Sequence, residues 1–336
     1  MKKKIIALVA AALAAVSVVG CDGGNGNEPS DKTVRIVMPD GAPAVALAQM
    51  MSEGYENTEF TVVQAATIAQ RFSGGNYSDF ELAIMPINAA ATLYNKGDAI
   101  VMLSVNTHGN LYFVGDGESV APQDLVGKRI GVIGEGNVPD LTLRMMFDEL
   151  GVPYVKAEND GTIADKVAIT YAANGGAVNA LFGENKIDYG FLAEPAATTM
   201  CNQHGKNIVL DAQELWADTF GTEYPQACLV ATSAFVDEGY DYIKNFLAAL
   251  QGDNGEWAKA NPKAAVDAIV AHSESGASDV KSLTADIVER CNIRTVFAFD
   301  AKQQCENYFD KLKALNGAFD KPVLSKLPDD GFYFGL

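Results

Sequence analysis

The stretch "ELAIMPINAAATLYNKG" (residues 81–97) places a strand directly before a helix. Leu82–Pro86 is a short, continuous apolar run, which is typical of a buried strand. Asn88 follows at once and precedes a run of helical composition. A helix start exposes backbone N–H groups, and such groups hold ligands or anions. The stretch therefore predicts one strand–helix unit of an α/β sheet, with a binding site at the carboxyl edge of that sheet.

Strand and helix patterns alternate along most of the chain. Strands are predicted at 33–39, 59–65, 80–86, 99–107, 110–115, 154–159, 187–194 and 207–211. A turn and a strand are predicted at 124–134, and a strand that runs into a helix start is predicted at 226–236. Helices are predicted at 42–54, 67–75, 138–151, 175–186 and 195–205. This alternation indicates βαβ units and a mainly parallel sheet. From about residue 237 onward the apolar spacing is nearly all helical.

Length and composition limit the class of protein. A chain of 336 residues is longer than one hydrophobic core usually covers, so two lobes are expected. Its 48% apolar and 20% charged residues predict a folded, soluble body. The net charge of −18 comes from 25 basic and 43 acidic residues, and it argues against nucleic acid as a partner.

The N-terminus has the pattern of a secretory signal. "MKKK" is a positive start, "IIALVAAALAAVSVV" is an apolar stretch too short to span a bilayer comfortably, and "VVGC" ends at Cys21. We therefore expect a signal peptide at residues 1–20, and one interpretation is an ordinary signal peptide that a chance cysteine follows. Residues 21–32 are rich in Gly and Asn and predict a flexible tether.

The remaining cysteines and the histidines give no metal site. Cys201, Cys228, Cys291 and Cys305 are either buried free thiols or partly paired, and the last two are the better-spaced pair for a disulfide. No CxxC occurs and the chain has three histidines, so no zinc-type cluster is predicted. No cofactor is expected.

An ordered set of motifs carries a family resemblance. Besides the VVGC pattern, which resembles a bacterial lipobox, the chain contains "MPDGAPAVALAQMM", "MPINAAATLYNKG", "DLVGKRIGVIGEGNVPDLTLRMMFDELG" and "NKIDYGFLAEPAATTM", and it closes with "LSKLPDDGFYF". Over nearly the whole mature chain this resembles the type II periplasmic-binding fold, and more closely the NitT/TauT-type substrate-binding lipoproteins of ABC importers. Relatives in that group bind a thiamine pyrimidine precursor, taurine, aliphatic sulfonates, nitrate or flavins.

The resemblance implies two α/β lobes joined by two crossing strands, with a helical C-terminal region. We place lobe 1 at 33–116 and 228–336, lobe 2 at 117–227, and the crossings near 113–118 and 226–232, where glycines at 115 and 117 suit a hinge. It also implies lipidation at Cys21, a membrane anchor, and a monomer outside the cytoplasm. The protein would close around a small-molecule ligand and deliver it to an ABC permease and its ATPase subunits.

Independently of the family, ligands of open α/β sheets lie beyond the carboxyl ends of the strands. This rule selects the loops that follow the predicted strands. The candidate ligand-binding residues are Asp40, Gly41, Ala42, Pro43, Pro86, Ile87, Asn88, Thr107, His108, Gly136, Asn137, Val138, Glu194 and Gln226.

Several of these residues have two interpretations. Asn88 either caps its helix or also binds ligand, and Asn137 either caps the next helix or belongs to a ligand loop. Asp40 and Glu194 either face each other across the cleft, favouring a ligand with an amine, or Glu194 pairs with a neighbouring arginine or stays solvated. His108 lines the cleft or lies in the core. Arg71 and Arg144 are the cations best placed to reach the cleft, and surface positions are the alternative.

Catalysis is not predicted. The chain has no GxSxG motif, its histidines are scattered, and the CCCFC motif of iron-containing relatives is absent. The alternatives to a transport receptor are an enzyme of the same fold, such as a menaquinone-precursor dehydratase, and a sensory lipoprotein without transport. Turnover assays would identify the first, and the absence of neighbouring permease and ATPase genes would favour the second.

Overall fold

The computed structural model describes residues 32–72, 79–157, 163–274, 276, 280–315 and 323–335. The chain from Thr33 to Leu336 forms one compact unit. The predicted signal peptide, Cys21 and nearly all of the predicted tether lie outside the described residues.

Twelve strands occur among the described residues. They are β1 (Val34–Pro39), β2 (Thr58–Val63), β3 (Leu82–Pro86), β4 (Ile100–His108), β5 (Leu111–Gly115), β6 (Arg129–Ile133), β7 (Tyr154–Lys156), β8 (Val167–Ala172), β9 (Tyr189–Ala193), β10 (Asn207–Asp211), β11 (Pro225–Thr232) and β12 (Ile293–Phe297). They form two six-stranded sheets. The first has the order β12-β4-β11-β3-β1-β2 and the second β10-β5-β9-β6-β8-β7.

Helices connect and cover the strands. They are α1 (Ala42–Val45), α2 (Ala48–Glu53), α3 (Ala65–Phe72), α4 (Ile87–Asn95), α5 (Val138–Leu150), α6 (Gly175–Gly183), α7 (Ala196–His204), α8 (Ala212–Phe220), α9 (Ser233–Glu238), α10 (Tyr240–Asp253), α11 (Glu256–Ala260), α12 (Pro262–Ala271), α13 (Ala285–Arg290) and α14 (Ala298–Ala314). The predicted helix at 42–54 is thus divided into α1 and α2.

Both sheets are mixed, so the prediction of a mainly parallel sheet is wrong. In the first sheet β1 pairs in parallel with β2 and with β3. In the second sheet β6 pairs in parallel with β8 and with β9, and β7 pairs in parallel with β8. The strands on either side of each passage between the sheets pair antiparallel to their neighbours. A βαβ unit forces parallel pairing, whereas a strand that arrives from the other sheet has no such constraint.

β3 lies between β11 and β1 in the first sheet, and its first four residues are fully buried. Its continuous apolar run fits this central position, because side chains on both faces of the strand are covered. The strand prediction at 80–86 is therefore confirmed. α4 follows β3 without a loop and packs on the same sheet.

The chain passes between the sheets at two adjacent points. It leaves the first sheet between β4 and β5, at Gly109, and returns between α8 and β11, at Tyr224. The Gly109 N–H donates to the Tyr224 carbonyl at 3.1 Å, and a Cβ at Gly109 would lie 2.5 Å from the Tyr224 ring. Glycine is required here because the two passages touch.

Both passages occur earlier in the chain than predicted. β5 pairs with β9 and β10, so it already belongs to the second sheet. β11 pairs with β3 and β4 from its first residues, so it already belongs to the first sheet. Gly115, a predicted hinge, instead packs against the ring of Tyr189, where a Cβ would lie 2.3 Å from a ring carbon.

The four cysteines of the described residues are free thiols, and three of them are buried. The alternative of a Cys291–Cys305 disulfide is therefore wrong. Burial raises the pKa of the Cys201 thiol to about 11. It also raises the pKa values of the other three thiols, which pack as small apolar side chains.

Candidate ligand-binding site

Two loops of the first sheet lie at the carboxyl ends of adjacent parallel strands. β1 leads into Asp40 and Gly41, and β3 leads directly into α4. The Gly41 N–H donates to Asp40 Oδ1 at 2.8 Å, and α1 begins with Ala42 and Pro43. The structure therefore brings the predicted residues of both loops to one edge of the sheet, as the strand-end rule requires.

Asn88 lies in the first turn of α4 and is 8% exposed. Pro86 is the cap residue of this helix, and Ile87, which follows it, is buried. Asn88 Nδ2 donates to the Gly136 carbonyl at 3.1 Å. The interpretation of Asn88 as a helix cap is wrong, because its side chain reaches the loop before α5 instead. This hydrogen bond joins a helix start of the first sheet to one of the second.

A carboxylate holds the loop before α5. Gly136 has φ of 79°, a conformation that favours glycine, and its N–H donates to Asp140 Oδ2 at 2.8 Å. Asn137 occupies the predicted cap position, yet its side chain makes no capping hydrogen bond. Val138 is buried. Asp140 thereby fixes the turn that presents the Gly136 carbonyl to Asn88.

Asp140 belongs to a buried polar cluster. Its Oδ1 accepts from the Tyr171 hydroxyl at 2.7 Å and lies 3.3 Å from Arg144 Nε. Burial raises the pKa of this carboxyl, and Arg144 opposes the shift. Arg144 is 1% exposed, so the alternative of a surface position is wrong, and its guanidinium pairs with Asp140. Arg71, the other predicted cation, pairs with Glu274.

Glu194 also bonds to other side chains and backbone groups of the chain. Its carboxylate accepts from the Thr198 hydroxyl at 2.6 Å and the Thr198 N–H at 3.0 Å. Arg290 Nε donates to it at 2.7 Å. The interpretation in which Glu194 pairs with an arginine is the one observed, although the arginine lies far away in sequence. Because Arg290 neutralises the Glu194 carboxylate, Glu194 is not the free carboxylate that would face Asp40 across the cleft and bind an amine.

The predicted residues near the passages lie inside the fold. Thr107 and His108 end β4 and are fully buried. His108 Nε2 lies 3.1 Å from the Arg294 carbonyl, so its ring faces β12. Gln226 lies in β11, and its Oε1 accepts from the Asn110 N–H at 3.3 Å. Thr107 and His108 thus belong to the first sheet, and Gln226 bonds to the chain where it passes to the second sheet.

His108 is expected to make stability depend on pH. Burial lowers its pKa from 6.5 to about 4, so between these values the unfolded chain takes up a proton that the folded chain does not. The contribution is complete above pH 6.5 and is lost as the pH falls toward 4, with a slope approaching about 1.4 kcal/mol per pH unit. Urea unfolding at pH 7.5 and pH 5 should show a larger loss for the native protein than for His108→Gln. Equal losses would contradict this assignment.

Two residues of this region were missed in the sequence. Asp140 stands three residues after the cap residue Asn137, which is the position of the acidic partner in a capping box, so a signal for it existed. Arg290 gave no signal, because it lies 96 residues from Glu194.

A cavity of about 680 Å³ lies elsewhere, between α5, the end of α8 and α14. Its lining includes Phe220 and Lys311, whose Nζ lies 4.0 Å from the Phe220 ring centroid. None of the predicted site residues lines it. We place the candidate site at the strand ends because two helix starts and a buried polar side chain converge there.

Among the described residues, no helix combines the length and apolar character that a bilayer crossing requires. The same residues contain no cluster of three or more His, Cys, Asp or Glu side chains arranged to hold a metal ion.

The fold, two mixed six-stranded sheets with covering helices, is that of periplasmic binding proteins. A solved ABC transporter structure from Parabacteroides distasonis has a TM-score of 0.71 with this chain at 22% identity, covering 90% of this chain and 99% of that chain. The periplasmic aliphatic sulphonate binding protein SsuA from Escherichia coli has a TM-score of 0.58 with this chain at 14% identity. The match covers 88% of this chain and 92% of that chain.

A third similar structure is the ligand-binding component of an ABC-type import system from Staphylococcus aureus, solved with zinc bound. Its TM-score is 0.59 at 13% identity, covering 88% of this chain and 97% of that chain. At these identities the likeness establishes the fold. No protein-family profile matches the chain, and no curated protein matches it.

Proposed function

We propose that this protein is an extracytoplasmic solute-binding lipoprotein of an ABC importer, of the NitT/TauT type. It captures a small organic ligand or anion between two lobes, one around each sheet, and delivers it to a membrane permease as a monomer. The fold and the import-system origin of similar structures support this proposal. So does the ordered set of sequence motifs.

The hydrogen bond between Asn88 and Gly136 is the main support for the proposed location of the ligand-binding site. The Asn88–Gly136 hydrogen bond brings together the starts of α4 and α5, which pack on different sheets. A solute held there would contact both sheets at once. Binding that joins two bodies in this way favours their closed arrangement, which is the form a permease would recognise.

We propose reversible binding rather than turnover. Glu194 is bonded to Arg290 and Thr198, Asp140 holds the α5 loop, and His108 is buried against β12. These three candidate acids and bases are thus engaged in structural contacts.

A melting assay of the mature protein tests the proposed function. The panel contains pyrimidines, flavins, alkanesulfonates, taurine and nitrate, and we expect one solute class to raise Tm. At a hundredfold excess over Kd, binding adds about 2.7 kcal/mol to the free energy of unfolding. Failure of every class to shift Tm would refute this ligand range.

The lipid anchor has its own test. Expression of the full chain in a bacterial host should place the protein in the membrane fraction, with a mass at its N-terminal peptide that includes acyl chains on Cys21. Cys21→Ser should move the protein to the soluble extracytoplasmic fraction or leave its signal peptide uncleaved. Membrane recovery of the variant with normal cleavage would rule out lipidation at this residue. Cys201→Ser is the matched control and should not change the fractionation.

A further inference from the structure

The side-chain amide of Asn88 is half satisfied. Its Nδ2 donates to the Gly136 carbonyl, and this acceptor fixes which end of the amide is nitrogen and which is oxygen. Its Oδ1 is buried and has no hydrogen-bond partner among the described residues. Since the residue is 8% exposed, the structure holds a buried acceptor in a fixed orientation beside the Gly136 loop.

The surroundings of this oxygen favour an acidic group. α4 has nine residues and no side-chain hydrogen bond at its cap residue, whereas the first turn of α5 already holds the Asp140 carboxylate. The positive end of the α4 dipole and its first-turn N–H groups therefore lie beside the Asn88 amide. Such groups bind carboxylate, sulfonate or phosphate oxygens.

The helix N–H groups and the Asn88 oxygen need opposite hydrogen-bonding groups from a solute. Helix N–H groups require an acceptor, whereas the Asn88 oxygen requires a donor. A solute with acceptors alone, such as nitrate or an unsubstituted alkanesulfonate, would leave Oδ1 unpaired in the closed site. Leaving a buried acceptor unpaired weakens binding by roughly five- to hundredfold.

We infer that the solute carries both an acidic group and an N–H or O–H donor, and that Asn88 Oδ1 accepts a hydrogen bond from that donor. This inference rests on the proposed function and narrows it. It selects substituted acids, with an amino or hydroxyl group close to the acidic head, over simple anions and simple alkyl acids.

The test uses pairs of acids that differ by one donor. 2-Hydroxyethanesulfonate is compared with propane-1-sulfonate. 3-Hydroxypropanoate is compared with butanoate, and β-alanine is also compared with butanoate. Affinities are measured by calorimetry on the full chain as its host processes it, in detergent micelles. We expect at least one donor-bearing member to bind about tenfold or more tightly than its partner. The hydroxyl pairs separate the effect of the donor from that of an added charge.

Two variants assign the preference to Asn88. Asn88→Leu removes the oxygen, and the affinity ratio within a pair should fall close to one. Asn88→Asp keeps an acceptor, so the ratio should persist although both affinities fall. Asn95→Leu is the matched control, because Asn95 lies on the same helix and also donates to a backbone carbonyl, that of Lys326 at 2.7 Å. Its ratio should equal that of the native protein.

The outcomes distinguish this inference from the proposed function. Equal binding within every pair, or an unchanged ratio in Asn88→Leu, overturns the role of Asn88 and leaves a binding protein. No binding of any pair and no Tm shift in the wider panel refutes the proposed ligand range, and this inference with it.

Discussion

Replacing Asp140 by alanine is expected to lower the free energy of unfolding by about 3–5 kcal/mol, the cost of breaking a buried ion pair. Its side chain and that of Arg144 are 0% and 1% exposed. The substitution leaves the guanidinium without the carboxylate 3.3 Å away, and it removes acceptors from Tyr171 and the Gly136 N–H. Urea unfolding at pH 7.5 measures this loss.

A double variant separates the charge from the rest of the cluster. Asp140→Ala combined with Arg144→Met removes both charges, and apolar replacement of a buried pair is often nearly neutral. We therefore expect the double variant to be more stable than Asp140→Ala alone. Glu149→Ala, at an exposed position of the same helix, is the control and should leave stability unchanged. A double variant less stable than Asp140→Ala would contradict the ion-pair explanation.

Replacing Glu194 by alanine is expected to lower the free energy of unfolding by about 3 kcal/mol. Glu194 is 2% exposed and accepts three hydrogen bonds, from Thr198 twice and from Arg290 once. Hydrogen bonds to a charged group contribute about 1.5–3 kcal/mol each. The side chain of Arg290 is 35% exposed, so water recovers part of its charge and the loss stays below that at Asp140.

The matched control breaks an exposed pair. Arg294 Nη2 lies 2.6 Å from Glu223 Oε2, and the two side chains are 43% and 56% exposed. Glu223→Ala should leave the urea midpoint unchanged, because water screens an exposed pair. Glu194→Gln, which keeps acceptors for Thr198, should lose less than Glu194→Ala. Equal effects at Glu194 and Glu223 would show that burial of Glu194 adds nothing.

Local patterns predicted the elements that build the candidate site. The apolar run of β3 and its direct connection to a helix are both observed. α5 (Val138–Leu150) matches the helix predicted at 138–151, and Gly151 is its cap residue. These predictions succeeded because strand periodicity, proline and glycine act within a few residues.

Elements that depend on distant neighbours were missed. β12 lies in a region of helical spacing, yet it pairs with β4 and forms one edge of the first sheet. β8 and α8 were also absent from the prediction. A short segment becomes a strand when a sheet edge is available, and that edge belongs to another part of the chain.

The sequence by itself determined the α/β class, the strand–helix units and the strand-end position of the candidate residues, since each depends on contacts within one or two turns. The tertiary structure alone decided their partners. Asn88 meets Gly136 48 residues away, and Glu194 meets Arg290 96 residues away. Packing of the two sheets brings these groups together and buries them. A buried polar side chain either bonds to other protein groups, as Glu194 does, or keeps an acceptor that a solute can use, as Asn88 does.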